Sequence, residues 1–340
     1  MELNKLFCNG VVLQANKPIR IFGTGIGKIS VEIDGIVGNS TVEENEWVLE
    51  LPDHDYGGPY NMKVTLNDEV KLIEDIYFGD VYLLAGQSNI ELRLWQTNAG
   101  EEEYESNPLV RAFFTKIEKE NNDYPAEEKW LKAIGCVSHW SALGWTIANR
   151  FQKETGHAIG IISCYRGASC IQSWLPKDIL KGTELEFACE DITGHLRREE
   201  CIDFNHDGFL YEGKFKKIIP FSLNSAIWYQ GESNSRPVEL ARVYKGLLKT
   251  LIECWRSDLK DEKLPFVLVQ IHDYKYFDEQ EGWSLVQKAQ AEIQHEIENV
   301  KTVNSFDVCE NEIIHPTTKL PLAMRIKAAL QDLTVWGYHK

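Results

Sequence analysis

The sequence has no apolar run approaching the ~18 residues that a bilayer-spanning helix needs, no C-x-x-C pair among its eight cysteines, and a deficit of basic residues. The first absence excludes a membrane-spanning helix. The cysteines, at positions 8, 136, 164, 170, 189, 201, 254 and 309, are scattered without the paired Cys/His spacing of a zinc site. The segment Met1–Cys8 lacks the apolar centre of a secretory signal. Together these features predict free thiols in a reducing, cytoplasmic setting. Lys and Arg number 36 against 52 Asp and Glu, a net charge of −16. So negative a field repels phosphate backbones, and no nucleic-acid partner is expected. With 24 Gly and 11 Pro, collagen-like and low-complexity readings also fail.

What remains is a globular composition. The chain has 340 residues, of which 43% are hydrophobic, enough for a sizeable core. Up to about residue 78 the pattern is β. Val11–Leu13, Ile19–Phe22, Ile29–Ile33, Trp47–Leu51 and Met62–Leu66 are short apolar or alternating runs, punctuated by Asp34-Gly35 and by Asp55-Tyr56-Gly57-Gly58-Pro59. Such spacing predicts a small antiparallel sandwich. From about residue 79 the runs become continuously apolar, as in strands buried on both faces: Val81–Ala85, Ala158–Ile162, Ala226–Tyr229 and Phe266–Val269, with Val300–Phe306 a weaker fifth. Helical periods lie between and after them. Leu143, Ile147 and Phe151 mark one, ended by Gly156; Leu240 to Trp255 form a clean stripe; Leu285 to Ile297 and Leu322 to Leu333 mark two more. Strands alternating with helices predict parallel crossovers and a three-layer α/β domain over 79–340. Residues 96–130 and 177–212 read as irregular excursions over the sheet.

Ligands of open α/β sheets bind beyond the carboxyl ends of the strands. After the apolar runs come Gly86-Gln87-Ser88-Asn89, Ser163-Cys164-Tyr165-Arg166-Gly167-Ala168-Ser169, Gln230-Gly231-Glu232-Ser233-Asn234 and Glu312-Ile313-Ile314-His315-Pro316. Each carries small, polar or ionisable groups. Ser88, at a strand-to-helix turn, can expose its Oγ as a nucleophile or serve as an N-cap. The G-x-S-x-G elbow is absent because residue 90 is Ile, which disfavours an ordinary α/β-hydrolase. Of nine His, His315 alone combines a carboxylate three residues upstream, a following Pro and a place beyond the last strand. Glu232 and Glu312 can also be read as solvated surface acids, a role that suits Glu232 less because it directly follows a buried-looking strand. Gln230 can donate from its side-chain amide, and Gly167 can present a backbone N–H to an oxyanion without steric obstruction.

These blocks resemble the sialate O-acetylesterase family of SGNH-type carbohydrate esterases. The resemblance runs from Val11-Val12-Leu13-Gln14 through Gly57-Gly58-Pro59-Tyr60, Gly79-Asp80-Val81-Tyr82 and Gly86-Gln87-Ser88-Asn89 to Trp228-Tyr229-Gln230-Gly231-Glu232-Ser233-Asn234 and Ile314-His315-Pro316 with Lys319. In the second block, Tyr165-Arg166-Gly167-Ala168 stands where the family has Trp-Gly-Gly-Thr. Glu312 stands near where the family places an Asp. The resemblance implies an α/β/α SGNH-like domain at 79–340 behind a small β-rich domain at 1–78. It implies Ser88 as nucleophile, His315 as base and Glu312 as the acid orienting His315. The oxyanion donors would be the Ser88 and Gly167 N–H groups and the Gln230 side chain, with no metal or cofactor. The substrate would be an acetylated carbohydrate, a sialic acid or a neutral glycan such as xylan. Arg166, Glu232, Asn234 and Trp174 would contact it, with Arg93 and Arg236 as further cations and Trp95, Tyr274 and Trp283 as further sugar platforms by their nearness to strand ends, each of the four aromatics having core packing as its alternative role. The rival reading is an inactive carbohydrate-binding relative with the same fold.

Overall fold

The computed structural model describes residues 1–117, 125–189 and 203–334; Cys201 and parts of both irregular stretches lie outside them. The seven described cysteines form no disulfide with one another.

The amino-terminal β segment forms two facing sheets. One joins Glu2–Leu3, Ile19–Thr24 and Glu46–Leu51, antiparallel throughout. In Glu46–Leu51, Trp47, Leu49 and Leu51 are buried and the residues between them exposed, the period-2 pattern of a half-buried strand. The other sheet contains Gly27–Ile33, Ile36–Val42 and Gly57–Leu66. Asp34-Gly35 closes its first hairpin with both residues at positive φ, the geometry that a two-residue connection between twisted strands requires.

The 18-residue strand Glu69–Gly86 continues from this second sheet into the next one. Its first half pairs with Gly57–Leu66 and its second half with Ile159–Tyr165 and Ser225–Tyr229. The expected boundary at 78/79 therefore falls inside one unbroken strand. What changes there is the strand's surroundings, from one covered face to two. At this junction Asp80 Oδ1 accepts from Tyr56 Oη at 3.1 Å and Asn224 Nδ2 at 2.9 Å, fixing the β segment to the amino-terminal end of the parallel strands.

The parallel sheet runs Asn107–Phe114, Ile159–Tyr165, Glu69–Gly86, Ser225–Tyr229, Phe266–Val269, Val300–Val303, with Leu131–Ala133 antiparallel on the outer edge of Asn107–Phe114. Ile159–Tyr165, Ser225–Tyr229 and Phe266–Val269 are buried at every position. Asn107–Phe114 lies in a stretch read from the sequence as irregular. Buried Arg111 interrupts its apolar run, and the guanidinium is satisfied by the carbonyls of Gly10 and Asp75 at 2.8 and 2.6 Å. The helix Ala142–Thr155 packs with Leu320–Thr334, and Val238–Asp258 with Gln280–Ile293. From the central strand the chain fills the sheet first on one side, at Asn107–Phe114 and Ile159–Tyr165, and then on the other, at Ser225–Tyr229, Phe266–Val269 and Val300–Val303. Strand order therefore reverses at Glu69–Gly86, and a crevice opens at its carboxyl end.

Candidate active site

The central strand ends at Gly86, and the chain turns at once into the single helical turn Ser88–Glu91. Gly86 has φ +129°, and a Cβ there would lie 2.1 Å from the carbonyl oxygen of Tyr229, so only glycine fits. The cap position belongs to Gln87, whose side chain makes no capping bond. Its Oε1 instead accepts from the N–H groups of Gly231 and Ser233 at 3.4 and 3.2 Å. Ser88 is thus no N-cap. Its Oγ lies 2.8 Å from His315 Nε2, with Ser88 half-buried and the imidazole exposed.

Asn89 ties the turn to the His315 loop. Its Nδ2 donates to Glu232 Oε1 at 2.6 Å and to the Ile314 carbonyl at 3.0 Å, and its Oδ1 accepts from Lys319 Nζ at 3.0 Å. Two donors and one acceptor of one buried amide therefore join three segments. Burial pushes the Glu232 carboxyl up and the Lys319 ammonium down, the latter to about 8. A second brace is His272, fully buried, whose Nε2 lies 2.9 Å from the Ile313 carbonyl. Burial lowers its pKa to about 4, so it is neutral at physiological pH and its Nε2 carries the donated proton.

The structure corrects several expectations. Glu312 faces away from the site. Its Oε1 pairs with Lys275 Nζ at 2.7 Å, the side chain is 56% exposed, and the bond from Lys275 holds its carboxyl below the usual range. The other acids of this loop are also engaged, Asp307 with Arg325 and Glu310 with Thr317 and Thr318. Gln230 does not reach the site as a donor. It is fully buried, and its Nε2 donates to the Ser169 carbonyl at 3.0 Å and to Asn234 Oδ1 at 2.7 Å. Asn234 is likewise internal, donating to Gln172 Oε1 and accepting from the Ile171 N–H. Glu232 is buried beneath the turn as a partner of Asn89. Trp174 lies in the core, edge-on to Trp228 and Trp255. Glu312 turns outward to a surface lysine, whereas Gln230, Glu232, Asn234 and Trp174 turn inward to satisfy buried polar groups or fill the core.

Gly167 does lie beside the nucleophile. A Cβ at Gly167 would sit 3.6 Å from the Ser88 Cβ. Its N–H, however, donates to Glu91 Oε2 at 2.6 Å. Half-buried Arg166 lines a cleft with Glu91, Arg93, His139 and Tyr165, and its guanidinium stacks 4.6 Å above the Phe204 ring. Arg236 stacks 4.2 Å from the Phe277 ring and pairs with Asp278. Among the proposed platforms, Trp283 is buried, Tyr274 half-buried and Trp95 exposed. Among the described residues no three His, Cys, Asp or Glu side chains converge in a metal-binding cluster, and no helix is long and apolar enough to cross a membrane.

Asn89, Glu91 and His272 escaped the sequence reading. Glu91 carried a usable signal, since a three-residue offset from Ser88 places both on one face of a helical turn. His272 offered none beyond its place after the strand Phe266–Val269.

Comparison with known proteins bears on the family and the fold. Residues 78–329 match the family described as carbohydrate esterase, sialic acid-specific acetylesterase. The chain is 24% identical over 321 residues to the sialate O-acetylesterase of Pongo abelii, covering 84% of this chain and 60% of that protein. It is 23% identical over 372 residues to the one of Mus musculus, covering 90% and 68%. The chain thus spans about three fifths of the length of the Pongo abelii relative. Among solved structures it is similar to a carbohydrate acetylesterase from Xanthomonas citri, with a TM-score of 0.84 at 25% identity over 99% of this chain and 76% of that one.

Proposed function

The chain belongs to the sialic acid-specific acetylesterase family of carbohydrate esterases, and from that premise we propose that it is a serine O-acetylesterase acting on a carbohydrate, with an O-acetylated sialic acid as substrate. The observation that carries the reading is the 2.8 Å contact between Ser88 Oγ and His315 Nε2 at the switch point of a parallel sheet. Ser88 Oγ attacks the acetyl carbonyl while His315 Nε2 takes its proton. The tetrahedral oxyanion is held by the backbone N–H groups of Ser88 and, once Glu91 releases it, of Gly167, each such donor lowering the barrier by about 3 kcal/mol. On collapse, the C–O bond to the sugar breaks and His315 returns the proton to the departing sugar oxygen. Water, activated by the same imidazole, then attacks the acetyl-serine and releases acetate.

Two observations support the sialate as substrate: the names of the curated relatives, and the presence of Arg93 and Arg166 in the cleft beside Gly167. A planar guanidinium suits a sugar carboxylate bidentately. Acetate release from O-acetylated sialic acids and from acetylated xylan fragments tests the reading. We expect kcat/KM at least tenfold higher on the sialates. Preference for the xylan fragments would assign the site to neutral glycans instead.

A further inference from the structure

Glu91 lies three residues beyond Ser88 on the same helical turn, and its Oε2 accepts the Gly167 N–H at 2.6 Å. A hydrogen bond to an ionised carboxylate at that distance is charge-assisted and strong. The space involved is small. A Cβ built on Gly167 would lie 3.1 Å from that same carboxylate oxygen and 3.6 Å from the Ser88 Cβ. The amide best placed to receive charge beside the nucleophile is therefore already bonded to an anion carried by the nucleophile's own helix. An N–H has one hydrogen to give, and an oxyanion next to a carboxylate is destabilised by like charge. The acyl oxygen and Glu91 Oε2 compete for one position.

We propose that Glu91 is a displaceable latch on the oxyanion site, determining specificity by leaving Gly167 only when the bound substrate supplies enough contact energy elsewhere. The inference rests on the serine-esterase reading above. Arg93 and Arg166 line the cleft that Glu91 also lines, so one can receive the displaced carboxylate while the other meets the sugar. Sugar contacts that form only once Glu91 has moved would then be spent on opening the latch. An acetyl ester without a sugar cannot make those contacts and meets the latch closed. The latch thus favours carbohydrate esters over small acetyl esters by raising the barrier for the latter.

The test is the hydrolysis of p-nitrophenyl acetate and of an O-acetylated sialic acid by wild type, Glu91→Gln, Glu91→Ala and Ser88→Ala, with thermal unfolding recorded for each. Neutralising the acceptor weakens its hold on the Gly167 N–H by about fivefold or more, the usual margin between charged and neutral hydrogen bonds. Glu91→Gln should therefore raise kcat/KM on p-nitrophenyl acetate about fivefold and Glu91→Ala further, while the preference for the sugar ester falls in both. Unchanged or reduced turnover of p-nitrophenyl acetate in both folded variants would overturn the latch and leave Glu91 a support for the Gly167 loop. Hydrolysis that survives Ser88→Ala would instead overturn the serine reading. A lack of Ser88-dependent turnover in every protein would overturn both.

Discussion

Ser88 Oγ and His315 Nε2 lie 2.8 Å apart although 227 residues separate them in the chain. Neither residue reaches the other through its own element alone. Ser88 is aimed by the Gly86 turn, and His315 sits on an exposed loop whose position is set by Asn89 pulling on the Ile314 carbonyl. Asn89 is thus a positioning residue for the pair.

Asn89→Ala removes the link among the Ser88 turn, Glu232 and Lys319. We expect kcat to fall about 10- to 100-fold with a smaller change in KM, because near-attack geometry is lost more than binding. Unfolding free energy should also drop by about 1–3 kcal/mol, since Glu232 and Lys319 lose a buried partner. A kcat within twofold of wild type in a folded variant would show that the loop holds itself.

Glu312→Gln should leave kcat within about threefold of wild type. The carboxylate pairs with Lys275 at the surface, and an exposed ion pair contributes little. A loss approaching the ~10⁴-fold seen when a triad acid is made an amide would return Glu312 to the catalytic unit.

Trp174→Ala should act on folding. The indole is fully buried against Trp228 and Trp255, and its Nε1 donates to Ser169 Oγ at 2.9 Å. Truncation should cost about 3–5 kcal/mol. Chemical denaturation measures this directly; full stability combined with a raised KM would make Trp174 a substrate contact after all.

His272 predicts an acid-sensitive component of stability. Its folded pKa of about 4 lies below the ordinary 6.5 because burial disfavours the charged ring, and its Nδ1 has no hydrogen-bond partner among the described residues. Between these values the unfolded chain binds the extra proton. Unfolding free energy therefore rises with pH across this window; the contribution is complete above 6.5 and lost as pH falls towards 4. Its size is about 3 kcal/mol at 1.36 kcal/mol per pH unit. Denaturant titrations at pH 7 and 4.5 should show a larger acid loss in wild type than in His272→Gln, and equal losses would contradict the burial argument.

Much of the sheet was legible because strands buried on both faces leave continuous apolar runs, as in Ala226–Tyr229 and Phe266–Val269. Asn107–Phe114 was not, because the burial of Arg111 is offset by the Gly10 carbonyl and by the carbonyl and carboxylate of Asp75, on distant segments that no local pattern reveals. The same distinction divides the site. Ser88 and His315 stand out by local context, the turn after a strand and the loop before Pro316. Glu312 and Gln230 occupy equally suggestive positions, yet their orientations are decided by Lys275, Ser169 and Asn234 on other segments. Position after a strand predicts which residues gather near the crevice, and long-range hydrogen bonding decides which of them face it.

The central claim is that Ser88 is the nucleophile. The most direct measurement treats wild type and Ser88→Ala with a fluorophosphonate, maps the adduct by peptide mass, and follows acetate release in parallel. The account predicts one adduct on the Ser88 peptide with complete loss of activity in wild type. In Ser88→Ala it predicts no adduct, kcat reduced at least about 10³-fold, and stability within about 1 kcal/mol because Ser88 makes no capping bond. An adduct on another residue, or acetate release that persists in Ser88→Ala, would contradict it.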